Sequence, residues 1–207
     1  MLNNLIHNKM ENTQQTKVII GEVKLSYVHL LKPDAIEGSE PKYSVSLIIP
    51  KSDKALVSKI KDGIDAATII GVASKFGGKK PLALKTPLRD GDLERPDDDA
   101  YADSFFINAN SKRPPEVVKS QIVMGKRQLV PINDEQEIYS GCYGYASVNF
   151  FAYDSKGNRG IAAGLNNVLK TRDGEFLGGR CSADSDFAGI TLPEEEDIPE
   201  ELMSDPV

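Results

Sequence analysis

Polar and apolar residues alternate from Glu22 to Tyr27, with Val23, Leu25 and Tyr27 on one side and Glu22, Lys24 and Ser26 on the other. A period of two sets one face of a strand in a core and the other in water. The alternation returns where Tyr43, Val45, Leu47 and Ile49 oppose Lys42, Ser44 and Ser46, after a turn-rich stretch holding Pro33, Gly38 and Pro41. These segments read as neighbouring strands, and parity assigns Tyr27 and Tyr43 to the core. The period then changes. Leu56, Ile60 and Ile64 recur every four residues, Val57 and Ala67 widen the stripe, and Ser52 precedes it as a cap, which predicts one helix. Strand patterns resume over 104–110, around 117–124 and most clearly over 142–153. The run Asp154-Ser155-Lys156-Gly157-Asn158 predicts a hairpin connection into a strand over 160–165. Several strands, many turns and one inserted helix favour an all-β fold with minor α, an antiparallel barrel or sandwich with long loops. A parallel α/β fold would need more helices.

A chain of 207 residues with 40% hydrophobic content suits one moderate domain with a real core. Residues 1–16, rich in Asn and Gln, read as a flexible leader, 17–191 as the folded body and 192–207 as a tail. No apolar run approaches the roughly 20 residues that cross a bilayer, so no membrane partner is expected. Cys142 and Cys181 lack a Cys-x-x-Cys partner and no signal-peptide pattern precedes them, which points to free thiols in a reducing cytoplasm.

The charge is unevenly distributed. The tail holds Glu194, Glu195, Glu196, Asp197, Glu200, Glu201 and Asp205 and no Lys or Arg. Of 31 acidic and 25 basic residues in all, residues 1–191 keep 24 acidic and all 25 basic ones, so the body is near +1 although the chain is at −6. A folded body tethered to a disordered polyanion suggests a protein that binds an anionic polymer and carries an internal mimic of it.

Two body segments could receive that polymer. In the strand 142–153, Cys142, Gly144, Ala146, Val148, Phe150 and Ala152 fit inside a narrow barrel, and Tyr143, Tyr145, Ser147, Asn149, Phe151 and Tyr153 take the opposite face. Tyr143, Tyr145, Phe151 and Tyr153 would make a stacking platform for unpaired bases with little sequence preference. Packing of these rings beneath the helix, a long loop or a dimer partner is the competing reading. Phe106 shares its face with Ser104, Asn108 and Asn110 and joins the candidates. The second segment, 75–89, holds five basic residues and no acid. Lys75, Phe76, Lys79, Lys80, Lys85 and Arg89, with the flexible Gly77 and Gly78, could wrap a phosphate backbone, and Lys112, Arg113, Lys126, Arg127 and Arg159 could extend the track. An ordinary solvated surface is the alternative for any one of these cations.

Catalytic readings have little support. The segment 71–80 has Phe76 where a phosphate-binding loop needs its second glycine, and no Gly-Lys-Ser/Thr follows. His7 and His29 stand apart from other ligands, so neither a zinc site nor a Ser-His-Asp relay is expected. Asp90, Asp92, Glu94, Asp97, Asp98 and Asp99 could bind a divalent cation for nuclease chemistry, but their spacing misses the calcium-loop pattern and an exposed loop over 90–103 is the simpler reading. No catalytic residue, metal or cofactor is assigned.

Several motifs together carry a family resemblance. They are Phe105-Phe106-Ile107-Asn108-Ala109-Asn110-Ser111 with Arg113-Pro114-Pro115-Glu116-Val117-Val118, then Tyr139-Ser140-Gly141-Cys142-Tyr143, Val148-Asn149-Phe150-Phe151-Ala152-Tyr153, Gly157-Asn158-Arg159-Gly160-Ile161 and Gly164-Leu165-Asn166-Asn167-Val168. Over about residues 17–191 the chain resembles the phage-encoded single-stranded DNA-binding proteins once catalogued as a domain of unknown function. The resemblance implies an OB-fold-like five-stranded barrel, sequence-tolerant coating of single-stranded DNA and a role in phage DNA replication or recombination in the host cytoplasm. It implies replication or recombination proteins as partners through the tail, which ends Ser204-Asp205-Pro206-Val207 without the terminal aromatic residue common in such tails. A protein-interaction or structural module and a strand-annealing protein are the alternatives, and a homodimer stays open.

Overall fold

The computed structural model describes residues 15–35, 38–155 and 157–178. The expectations for the leader, His7, Cys181 and the acidic tail therefore fall outside the described residues, apart from Gln15 and Thr16 at the leader's end. Among the described residues there are eight strands: β1 (Lys17–Asp34), β2 (Lys42–Pro50), β3 (Arg89–Asp90), β4 (Ser104–Ser111), β5 (Glu116–Val123), β6 (Lys126–Pro131), β7 (Tyr143–Ser155) and β8 (Asn158–Arg172). The helix α1 spans Lys54–Ser74, and a four-residue helix α2 (Gly91–Glu94) and a 3-10 turn (Asp99–Tyr101) lie between β3 and β4.

The strands β4, β2, β1, β7 and β8 pair in that order, and β8 returns to β4 to close a barrel. Four of these pairings are antiparallel, but the closing one is parallel and short, with Ala109 beside Ala163 and Asn110 beside Gly164. This is an OB-fold-like barrel, as expected, with one parallel seam that alternation cannot reveal. Outside it, β5 runs parallel to β8 and turns into β6, so that a hairpin arm projects from the barrel wall.

The interior follows from the period of two. Cys142, just before β7, and Gly144, Ala146, Val148, Phe150 and Ala152 on it are all buried. The neighbouring strand β1 supplies Ile20, Val23 and Leu25, and β2 beyond it supplies Val45, Leu47 and Ile49. Small side chains at Ala109, Ala146 and Ala163 suit a barrel too narrow to hold a large residue at every position. Cys142 is a free thiol wholly inside this core, and burial pushes its pKa up.

The helix begins one residue later than Ser52 would place it. Asp53 is the cap, its Oδ1 accepting the Leu56 N–H at 3.0 Å. Leu56, Val57, Ile60, Ile64 and Ala67 are buried as their spacing predicts, in the same cluster as the barrel interior. Gly71 lets the helix approach β7, since a Cβ there would stand 2.5 Å from that of Ala152 and 2.7 Å from the Phe76 ring. Phe76 itself turns back beneath the helix end and is 3% exposed, so it belongs to the core and not to a phosphate-wrapping arm. An aromatic residue just beyond a helix has a core edge within reach, which charge counting along the arm does not register.

The rest of the acid-free segment occupies the place where β4 and β8 diverge. Lys85 bridges to Gly160, donating its N–H to Arg159 and accepting from the Ile161 N–H at 2.8 Å. Four residues later, Arg89 and Asp90 pair with Phe106 and Phe105 as β3.

The acidic stretch 90–103 is not an open loop. Asp90, Asp98 and Lys51 organise it: Asp90 and Asp98 cap its two short helices, and the Lys51 ammonium donates to Asp90 and Asp92 at 2.6 Å each. The stretch folds onto the outer face of β2 and β4, where Tyr101 and Ile48 pack with Phe106. Val45, Ser46, Leu47, Ile48 and Ile49 are in consequence buried on both faces of β2. Phe106, expected on a nucleic-acid surface, is 0% exposed, with the Tyr101 ring edge-on at 5.1 Å. Its side chain does point outward, as parity predicts, but the stretch 90–103 covers it. Tyr27 departs in the other direction. It takes φ 47° at a register break in β1 and is 51% exposed, not a core residue, while Tyr43 is half-buried.

Candidate nucleic-acid interface

The outer face of β7 carries the four rings that alternation predicts, and each lies against a glycine. Tyr145 packs on Gly21 of β1, Tyr153 on Gly160 and Phe151 on Gly164 of β8, and Tyr143 on Gly174. A Cβ on Gly160 would come within 2.7 Å of the Tyr153 hydroxyl, and one on Gly164 within 3.3 Å of the Phe151 ring. The missing side chains let aromatic groups settle close to the sheet surface. Phe151 remains 45% and Tyr145 38% exposed, so both retain accessible ring surface. Tyr143 differs, because the Arg172 guanidinium sits 3.4 Å from its centroid and Lys24 approaches at 5.8 Å.

Strand register extends this face around the barrel. Asn149 pairs with Gly164, Gly164 with Asn110, Asn110 with Ser44 and Ser44 with His29, crossing β7, β8, β4, β2 and β1 in one row. Inward neighbours Val148, Ala163, Ala109 and Val45 are buried, so this polar row lies outside. Such a row, small at its centre and amide-rich at its sides, offers hydrogen bonds without blocking the approach of a polymer backbone. It includes the second and third barrel strands, the part of OB-folds that commonly receives oligonucleotides. Sequence parity pointed to Asn108 and Asn110, but the row itself depends on pairings between residues far apart in the chain.

The predicted cations divide into groups. Lys75, Lys79, Lys80 and Lys85 are exposed and have no ion pair among the described residues. Lys85 lies beside Arg159 and Gly160, so its segment flanks the Tyr153 end of the ring face. Arg89, Arg159 and Lys112 are partly neutralised by Glu94, Asp154 and Glu40. Arg113 is exposed at the end of β4. Lys126 and Arg127 stand at the arm's tip, five residues beyond Val118 and thus about 17 Å along the hairpin. They are not part of the same cluster. Between the arm and the barrel, a groove of about 900 Å³ is lined by Tyr145, Lys17 and Ile19 on one side and Val118, Leu129 and Pro131 on the other.

Sequence reasoning missed Arg95. Its guanidinium carbon stands 4.7 Å from the Tyr27 and Tyr101 centroids and 5.4 Å from that of Phe106, and its Nη1 donates to the Tyr27 hydroxyl at 2.8 Å. It lies between carboxylates in a stretch that reads as an exposed loop, and nothing in that setting signals three rings. Of the carboxylates considered for a divalent cation, Asp90 and Asp92 hold Lys51 and Glu94 holds Arg89. Among the described residues, no three His, Cys, Asp or Glu side chains are grouped to hold a metal ion, and no helix is long and apolar enough to cross a membrane.

Comparison with known proteins places this barrel in context. Residues 16–202 match the family model described as Enterobacter phage Enc34, ssDNA-binding protein. The single-stranded DNA-binding protein from bacteriophage Enc34, solved in complex with ssDNA, superposes with a TM-score of 0.67 at 29% identity, covering 79% of this chain and 90% of that one. A protein p50 of Acyrthosiphon pisum secondary endosymbiont phage 1 is 30% identical over 194 residues, which span 88% of this chain and 98% of the relative. The fold is shared more widely: gp2.5, a single-stranded DNA binding protein encoded by bacteriophage T7, superposes with a TM-score of 0.50 at 18% identity over 87% of this chain and 96% of that one.

Proposed function

Because the chain belongs to the Enc34 ssDNA-binding protein family, we propose that it binds and coats single-stranded DNA with little sequence preference during phage DNA replication or recombination. The observation that carries this reading is the continuous outer face on which Phe151, Tyr153 and Tyr145 adjoin the polar row from Asn149 to His29. Rings there stack on unpaired bases, whose π faces are accessible only when a strand is single. The amide and hydroxyl groups of the row meet sugar and phosphate. Lys79, Lys80 and Lys85 supply cations beside it, and the ion-paired Arg159, Arg89 and Lys112 can exchange a carboxylate for a phosphate. Nothing in this mechanism makes or breaks a covalent bond. The acidic tail competes with DNA for these cations and, once displaced, is free to engage replication or recombination proteins.

The chain has seven tyrosines and no tryptophan, so its intrinsic fluorescence reports on the rings in question. Titration with oligothymidine at low salt is expected to quench that emission to saturation at a fixed ratio of nucleotides to protein. Emission that ignores oligothymidine would remove stacking from the account.

A further inference from the structure

We infer that Tyr27 and Arg95 form a nucleotide-binding unit at the β1 end of the single-strand surface, with an unpaired base on the Tyr27 ring and its phosphate on the Arg95 guanidinium. This inference rests on the proposed single-strand binding and adds a stacking position on β1 to those on β7.

Tyr27 is unusual in its backbone. Among the described residues, three besides glycine take positive φ, and Asp103 and Met124 do so in turns while Tyr27 does so inside a strand. A non-glycine residue in that region is held against a steric cost, and the surrounding structure must impose it. Here the break in register between Ser26 and His29 turns the ring outward from β1. The ring stands two residues from His29, the last member of the polar row, and half of it is open to solvent.

Arg95 is unusual in its partners. Seven carboxylates lie within the stretch 90–103 that contains it, yet among the described residues Arg95 forms no ion pair. Three aromatic rings hold the guanidinium, and one of its five N–H groups goes to the Tyr27 hydroxyl. Ring contacts position the planar cation without neutralising it, which leaves donors for a phosphate in the fork geometry that suits it. Of the neighbouring carboxylates, Asp90 and Asp92 are directed to Lys51 and Glu94 to Arg89, while the Asp98 charge acts on Arg95 without closing an ion pair. A purely structural pin between loop and strand would be served equally by a carboxylate on β1, and would not require an exposed aromatic ring in a strained backbone.

The test uses the full chain and labelled oligothymidine, with affinity measured across a salt series for the unaltered protein and for Tyr27→Leu, Tyr27→Phe and Arg95→Gln. Tyr27→Leu is expected to weaken binding about 5- to 150-fold, the equivalent of about 1–3 kcal/mol for one stacked base, and to keep the salt slope. Tyr27→Phe retains the ring and binds more tightly than Tyr27→Leu. Arg95→Gln lowers the slope of log affinity against log salt by about 0.7, the loss of one phosphate contact to a single strand. Unchanged affinity in Tyr27→Leu or an unchanged slope in Arg95→Gln overturns the inference even where the unaltered protein binds tightly. Failure of the unaltered protein to bind oligothymidine overturns the parent reading instead. Photocrosslinking of the unaltered chain to an oligonucleotide carrying 5-iododeoxyuridine gives an independent answer: an adduct on Tyr27 supports the unit, and adducts confined to other residues contradict it.

Discussion

The Phe151 ring lies over Gly164, close enough that a Cβ on the glycine would stand 3.3 Å from it, while 45% of the residue stays exposed. One strand supplies the ring and the next removes the side chain that would lift it. We predict that Phe151→Ala weakens oligothymidine binding by about 1–3 kcal/mol with little change in melting temperature, because the ring's exposed face contributes to stacking more than to the core. Gly164→Val should weaken binding too by displacing the ring. A titration of both variants beside the unaltered chain, with melting curves, checks this.

Phe106 should behave in the opposite way. It is wholly buried between Tyr101 and the guanidinium groups of Arg89 and Arg95. Phe106→Ala is expected to cost about 3–5 kcal/mol of stability, as is usual for removal of a buried aromatic side chain. Phe76→Ala, in the core below the helix end, should cost a similar amount. Chemical denaturation measures both.

The latch on the acidic stretch has a definite pH dependence. The Lys51 ammonium, and after it the Asp103 N–H, hold the Asp92 carboxyl below its ordinary pKa, while hydrogen bonds to Asp90 and then Asp92 raise that of Lys51. A lowered carboxyl pKa gives a contribution that is complete above the ordinary value near ~4 and is lost as pH falls through the lowered one. The protection of the Asp103 amide, the slowing of its exchange relative to the intrinsic rate at the same pH, should therefore be high at neutral pH and fall in acid. In Asp92→Ala it should be low at neutral pH as well.

Deletion of residues 192–207 removes seven carboxylates. If the tail competes with DNA, the truncated chain binds oligothymidine more tightly at low salt, and the advantage shrinks as salt screens the competition. Equal affinity at low salt would show that the tail does not compete. Pull-down of replication proteins by the full and truncated chains measures its second proposed role.

Local periodicity made much of the barrel legible. The inward set on β7 and the helix stripe from Leu56 to Ala67 both follow from a single spacing rule, because each element buries one face. What the rule could not reach depends on distant partners. Phe106 has the parity of a surface residue and is buried only because the stretch 90–103 returns over it. Tyr27 has the parity of a core residue and is exposed because β1 breaks register there. The row from Asn149 to His29 needs five strands in register, including the parallel seam at Gly164. Arg95 was hidden by its acidic neighbours, since sequence charge counts suggest an ion pair and give no sign of three rings.

The face crossing β7, β8, β4 and β2 is proposed to bind single strands. Its most direct test is a titration of labelled oligothymidine and of a duplex of equal length over a range of salt concentrations. Tighter binding of the single strand is expected at every salt, with log affinity falling linearly against log salt by about 0.7 for each phosphate contact. Equal or tighter binding of the duplex would contradict it.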